Sequence, residues 1–179
     1  MHRRILALAV IILVAVASAA CATSPPTEPI APGSDWHEFE GTWTASGTRH
    51  TILLGDGRSS AVIELEGTML LAGPGRPGVG FRSRVIGLVD SASGFEGRSV
   101  WTDENGDQAF SELKGTGTEA QNRLEGTFVG GTGRYAGATG SYEFSWQYMI
   151  ESEDGRISGR AIALKGRVRT GVPPAGSAP

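Results

Sequence analysis

The stretch Tyr142-Glu143-Phe144-Ser145-Trp146-Gln147-Tyr148-Met149-Ile150 alternates large apolar residues with polar ones. Tyr142, Phe144, Trp146, Tyr148 and Ile150 fall on one side, and Ser141, Glu143, Ser145, Gln147 and Met149 on the other. A period of two is the mark of a half-buried antiparallel strand. On a helix the same aromatics would scatter around the axis. Asp154-Gly155 follows as a hairpin turn, and a second strand is predicted from Arg156 to Arg169. Ile162, Leu164 and Val168 are expected on its inner face, with Arg160 near its start, and Lys165, Arg167 and Arg169 on its wet face.

Working outward, Asn105-Gly106 joins a strand over Arg98–Asp103 to one over Asp107–Lys114. Further strands are predicted at Gly41–Thr48, Arg49–Leu54, Ser60–Leu71, Val79–Val89 and Arg123–Val129. Asp56-Gly57 and the run from Gly73 to Gly78 are the turns between some of them. No long segment shows a helical face. Glycine supplies 27 of the 179 residues and is scattered through the apolar segments, which favours short bent strands over helices. Glu-Gly-Thr occurs at Glu40, Glu66 and Glu125 with irregular spacing, as one local solution that lets a curved strand bend rather than as a repeat. The fold class is therefore all-β, with seven to nine strands in a barrel or a sandwich.

Gly130-Gly131-Thr132-Gly133-Arg134-Tyr135-Ala136-Gly137-Ala138-Thr139-Gly140 is the most distinctive segment. With its flanking strands it resembles the GGTG-(R/K)-(Y/F)-x-G-A-x-G segment of the allene oxide cyclase–dirigent barrel superfamily. The fold motif residues are Gly131, Gly133, Tyr135, Gly137 and Gly140. The resemblance implies a single antiparallel, calycin-like barrel of about eight strands. One aromatic would tuck under it, and a cavity would suit a small apolar molecule. Members of the superfamily steer cyclisation or radical coupling, but their catalytic residues do not align with positions of this chain. The resemblance thus carries a fold and a cavity, and no mechanism.

The first residues have export grammar. Met1-His2-Arg3-Arg4 is basic, Ile5 to Ala17 is an apolar run of 13 residues, and Ser18-Ala19-Ala20 precedes Cys21. The run is too short for a bilayer, which takes ~20 residues. A cysteine after small residues resembles a bacterial lipobox, whose thiol is diacylated. Cys21 is the one cysteine in the chain, so a disulfide scaffold is excluded and lipidation explains the odd thiol. Ala22 to Asp35, with four prolines, reads as a tether with a reach of about 40 Å if extended. Val172 to Pro179 reads as a structureless tail. The expected organisation is a signal peptide over 1–20, lipidated Cys21 and tether over 21–35, a β-domain over 36–171, and the tail. The expected address is the cell envelope, with the membrane as partner through the lipid. Ala22 after the cysteine points to the periplasmic face of the outer membrane if the host is Gram-negative.

Chemistry is bounded mainly by exclusion. Beyond the leader the chain holds 14 basic and 19 acidic residues, a net of −5, so no basic face for nucleic acid is expected. His37 and His50 lack metal-ligand spacing and have no thiol to join them, so neither metal nor cofactor is expected. Gly131-Thr132-Gly133-Arg134-Tyr135-Ala136 fits G-x-G-x-x-A, but a strand and not a helix follows it, which argues for a turn. There is no Gly-x-Ser-x-Gly elbow. Glu112, Asp103 and Arg160 are the acid/base candidates, because a carboxylate inside an apolar barrel has a raised pKa. Trp101, Phe110, Phe144, Trp146 and Tyr148 are the candidate pocket wall. The leading expectation is a non-catalytic barrel that binds a small hydrophobic ligand or serves as an interaction module. The alternatives are a cyclase or isomerase working in the cavity and a structural lipoprotein with a filled barrel. Related barrels associate, so an oligomer stays open.

Overall fold

A computed structural model describes residues 36–116 and 123–171. The leader, Cys21, the tether and the tail lie outside the described residues. The described part is a closed antiparallel barrel in which each strand pairs with its neighbours in sequence. The strands are β1 (His37–Gly55), β2 (Arg58–Ala72), β3 (Gly80–Asp90), β4 (Gly94–Thr102), β5 (Gln108–Thr116), β6 (Arg123–Gly131), β7 (Thr139–Glu151) and β8 (Arg156–Arg169). β1 and β8 close the ring, with His37 opposite Val168 and Thr48 opposite Arg156. The closing ladder lies within 37–169, and the core runs from Phe39 to Val168. The unit Asp35–Pro179 therefore contains what it needs to fold by itself.

Alternation sorts the residues. β2 turns Ala61, Ile63, Leu65, Met69 and Leu71 inward, and β7 turns Tyr142, Phe144 and Trp146 inward. The β7–β8 register shifts between Tyr148 and Ile150, so Ile150 stands opposite the outward Ser158 and is exposed, against the inner face expected of it. The two strands expected at Gly41–Thr48 and Arg49–Leu54 are one. The β1–β2 ladder runs unbroken from Glu40–Ala72 to Leu53–Ser59, because nothing at Thr48-Arg49 turns the chain. β8 departs from the expected pattern. Ala163 has φ +55°, and the β1–β8 register slips between Gly41 and Trp43. This bulge adds a residue and resets the parity. Ile157 and Ala161 point in before it and Leu164 and Val168 after it, so Ile162 lies outside at 41% exposure.

The three Glu-Gly-Thr segments have an inward glycine in common. Gly41, Gly67 and Gly126 face the interior where a neighbouring strand or ring comes close. A Cβ on Gly126 would lie 2.1 Å from the Tyr142 ring, and one on Gly67 would lie 1.9 Å from the Thr44 carbonyl oxygen. Gly126→Ala is expected to lower unfolding free energy by about 2–3 kcal/mol in urea titrations, because the ring has nowhere to go. Gly106→Ala is the control. Its φ of +86° strains an alanine, but a Cβ there meets open space, so a loss of about 1 kcal/mol is expected.

Candidate functional site

The barrel has two unlike ends. Strand starts and the register place the start of β1, the end of β8, the β2–β3 and β4–β5 turns and the segment Thr132–Ala138 at one of them. That end is plugged by aromatics. Trp101 is the hub, with ring centroids 4.7 Å from Tyr142, 5.1 Å from Phe128, 5.8 Å from Phe81 and 6.0 Å from Phe39. Edge-on and tilted pairs of this kind add to the burial of apolar area. Tyr135, carried on the 3₁₀ turn Gly133–Tyr135, packs against Phe81 at 5.8 Å and is buried. It is the aromatic that the motif places under the barrel.

Polar contacts fix that turn. Asp103, whose side chain is fully buried, accepts the N–H groups of Asn105 at 2.8 Å and Asp107 at 3.0 Å. Its other oxygen meets Arg134 Nη2 at 2.6 Å. Asp107 accepts the Arg134 N–H at 3.2 Å and lies so close to Gly133 that a Cβ there would be 1.8 Å from its Oδ1. With φ +51° as well, Gly133 fits where a side chain would not. Gly131 ends β6, Gly137 lies after the turn with φ +68°, and Gly140 is in β7. Burial pushes the Asp103 carboxyl up, but the two N–H bonds and the Arg134 charge outweigh it, and the pKa is held below its ordinary value. Burial pushes the Tyr142 phenol up to about 12, although Ser111, 2.7 Å from its hydroxyl, works the other way.

The other end is open. A cavity of about 330 Å³ reaches its rim. Its wall comes from Trp43, Ile63, Leu65, Val85, Val89, Phe95, Leu113, Leu124, Phe144, Trp146 and Tyr148. Arg49, Ser59, Asp90, Ser91 and Arg123 also line it. The charged groups are engaged. Arg49 Nη1 meets Glu151 at 2.7 Å, and its guanidinium lies 5.9 Å over the Tyr148 ring. Arg123 pairs with Glu143. Asp90 accepts the N–H groups of Ala92 and Ser93.

Of the residues read as a pocket wall, Phe144, Trp146 and Tyr148 line this cavity. Trp101 is inside the barrel but belongs to the plug. Phe110 is on the outer face, where Val100 is its register partner. Its neighbours Ala109 and Ser111 face in, because Trp101 stands opposite Ala109 and the Tyr142 hydroxyl reaches Ser111. The bulk is supplied by β4 and β7, so β5 gives small residues at that level.

The acid/base candidates do not converge on the cavity. Glu112 lies outside and pairs with Arg98 at 3.0 Å. Arg160 is exposed and donates to Gln147 Oε1 at 2.9 Å, because the bulge follows it and Ile162 is not its inward companion. Asp103 is buried, but in the plugged end and with a lowered pKa. Trp43, Phe95, Leu113 and Leu124 were missed as wall residues. Extending the two-residue alternation from Phe39 along β1 would have found Trp43.

No family model matches the chain, and no curated protein matches it. Among solved structures, the chain is similar to the pterocarpan synthase dirigent protein GePTS1. The identity is 12%, the match covers 79% of this chain and 91% of that one, and the TM-score is 0.46.

Because the folded-state pKa of Asp103 is depressed, its stabilising contribution is complete above the ordinary aspartate value. It is lost as pH falls through that value toward the folded one. Asp103→Asn is expected to cost about 1–2 kcal/mol at neutral pH, since the Arg134 partner is partly solvated. It should also flatten the fall in melting temperature between pH 5 and pH 3. Thermal melts of both proteins across that range check this. Parallel curves would mean that the Asp103 charge does not stabilise the plug.

Proposed function

We propose that the domain is a non-catalytic binding barrel for a small apolar molecule, held at the cell envelope by a lipid on Cys21. The observation that carries the binding role is the cavity of about 330 Å³, walled by aromatic and aliphatic side chains. Its size falls within the range of small-molecule sites, roughly 300–1,000 Å³. A purely structural barrel has no need of such a volume, and the polar residues proposed from sequence for a cyclase lie elsewhere.

Uptake of a neutral solvatochromic dye, N-phenyl-1-naphthylamine, by residues 35–179 tests the binding role. Saturable uptake is expected at micromolar dye. Val85→Trp, which fills the cavity from β3, should weaken it at least about tenfold while leaving the far-UV spectrum unchanged. Leu65→Phe is the milder filling variant, in case the tryptophan unfolds the barrel. Absent uptake, or uptake indifferent to both changes, would remove the binding role. The anchor is tested separately by growing cells with an alkyne fatty acid. The wild-type chain is expected to take the label and Cys21→Ala to lose it, and an unlabelled wild type would refute lipidation.

A further inference from the structure

The exposed apolar residues gather at the open end of the barrel. Ile52, Leu53, Leu54, Val62, Ile86, Leu88, Met149 and Ile150 belong to the halves of β1, β2, β3 and β7 nearest the rim. Leu70, Val79, Val129 and Ile162 are the other exposed large apolar residues among those described. Ile52, Val62, Ile86 and Leu88 form a patch on the outer face, each 46–62% exposed, and the register sets Leu88 directly beside Val62. An outward strand position is ordinarily polar. Toward the plugged end the same two strands obey that rule, with Glu64, Glu66, Arg82 and Arg84 pairing with one another. Val62, Ile86 and Leu88 wall a shallow outer groove bordered by Asp90 and Gly94, and those two residues also border the cavity. The apolar surface outside the barrel thus runs to the rim of the apolar volume inside it, and a patch of this kind marks a contact surface.

We infer that this face docks on a zwitterionic lipid bilayer, so that the mouth of the cavity meets the lipid. The inference rests on the binding reading above. An apolar guest partitions into lipid, and a mouth set against the lipid takes it up without a passage through water. On the same reading, the tether after Cys21, with a reach of about 40 Å, keeps the barrel beside that surface. A second copy fits less well. A stable dimer covers about 800 Å² and 20–30 residues a side, and this patch is a handful of side chains, whereas a bilayer needs no matched shape. Asp56 and Arg58 at the hairpin tip are charged, so the hairpin does not enter tip first. The outer face of β1–β3 lies along the headgroup–acyl boundary instead. Glu96 stands opposite Leu88 and Asp90 opposite Ser60, and Arg98, which also borders the groove, is held by Glu112. The surround has no cationic excess to draw anionic lipid.

Flotation of residues 35–179 with phosphatidylcholine vesicles tests this. Binding is expected at about millimolar lipid, unaffected by about 0.5 M salt and not raised by added phosphatidylglycerol. Ile86→Ser with Leu88→Ser should weaken it about tenfold and leave dye uptake unchanged, since neither side chain lines the cavity. Ile52→Ser with Leu54→Ser is the second variant, in case β3 does not tolerate the first. Leu70→Ser with Val79→Ser removes similarly exposed aliphatics at the plugged end and should change nothing. An equal loss in that control, binding raised by phosphatidylglycerol or binding abolished by salt would overturn the inference. So would a dimer in light scattering that the Ile86 and Leu88 changes split, with no flotation. Uptake of N-phenyl-1-naphthylamine without flotation would overturn it and leave the binding barrel standing. Failure of both would overturn both.

Discussion

The ladder between β1 and β8 is the constraint on which the remaining structure depends. A sheet with free edges leaves rows of backbone N–H and carbonyl groups to water or to other chains, and closing the ring removes them. Closure also fixes an inside. Once the eight strands form a ring, each residue points either to a confined volume or to solvent, and one slipped position exchanges the two. The bulge at Ala163 is such a slip, placed where β8 must meet Gly41 and Trp43. It lets one strand keep Ile157 and Ala161, and then Leu164 and Val168, in the same core.

The enclosed volume is spent unequally along the axis. At the plugged end, Trp101 and its aromatic neighbours fill the space so fully that Ser83, Ser99 and Ser111 are the inward residues of β3, β4 and β5 at neighbouring levels. Toward the rim the same strands offer Val85, Val89, Phe95 and Leu113, and these leave a cavity. The Asp103–Arg134 pair and the Asp107 contacts hold the turn that carries Tyr135. The stable end and the end with space for a guest are thus built from opposite ends of the same strands.

Much of the fold was legible from sequence because its signals are local. The alternation from Tyr142 to Trp146 and the turns at Asp56-Gly57, Asn105-Gly106 and Asp154-Gly155 are each read within a few residues and hold in the structure. The site was less legible because its signals are pairwise. Phe110 has the look of a core residue, and only knowing that Trp101 stands opposite Ala109 puts it outside. Ala163 gives no hint of a left-handed backbone, so the parity of β8, and with it the place of Arg160, had to come from the register. Trp43 and Trp146 lie on β1 and β7, far apart in sequence and on either side of β8, and their rings meet only because the sheet closes. No window of residues contains that fact.

The order of pairing has a consequence for the chain as a thread. Every strand lies beside its sequence neighbours, and His37 is opposite Val168, so the first and last residues of the barrel adjoin. The architecture has no intrinsic beginning. A circular permutant that joins the two ends by a short linker and opens instead at Asp56-Gly57 would retain all eight ladders, including the one that now closes the ring. The closing contact would become a local hairpin, and a present hairpin would become the long-range closure. The late, entropically costly step of folding would thereby move to a different seam.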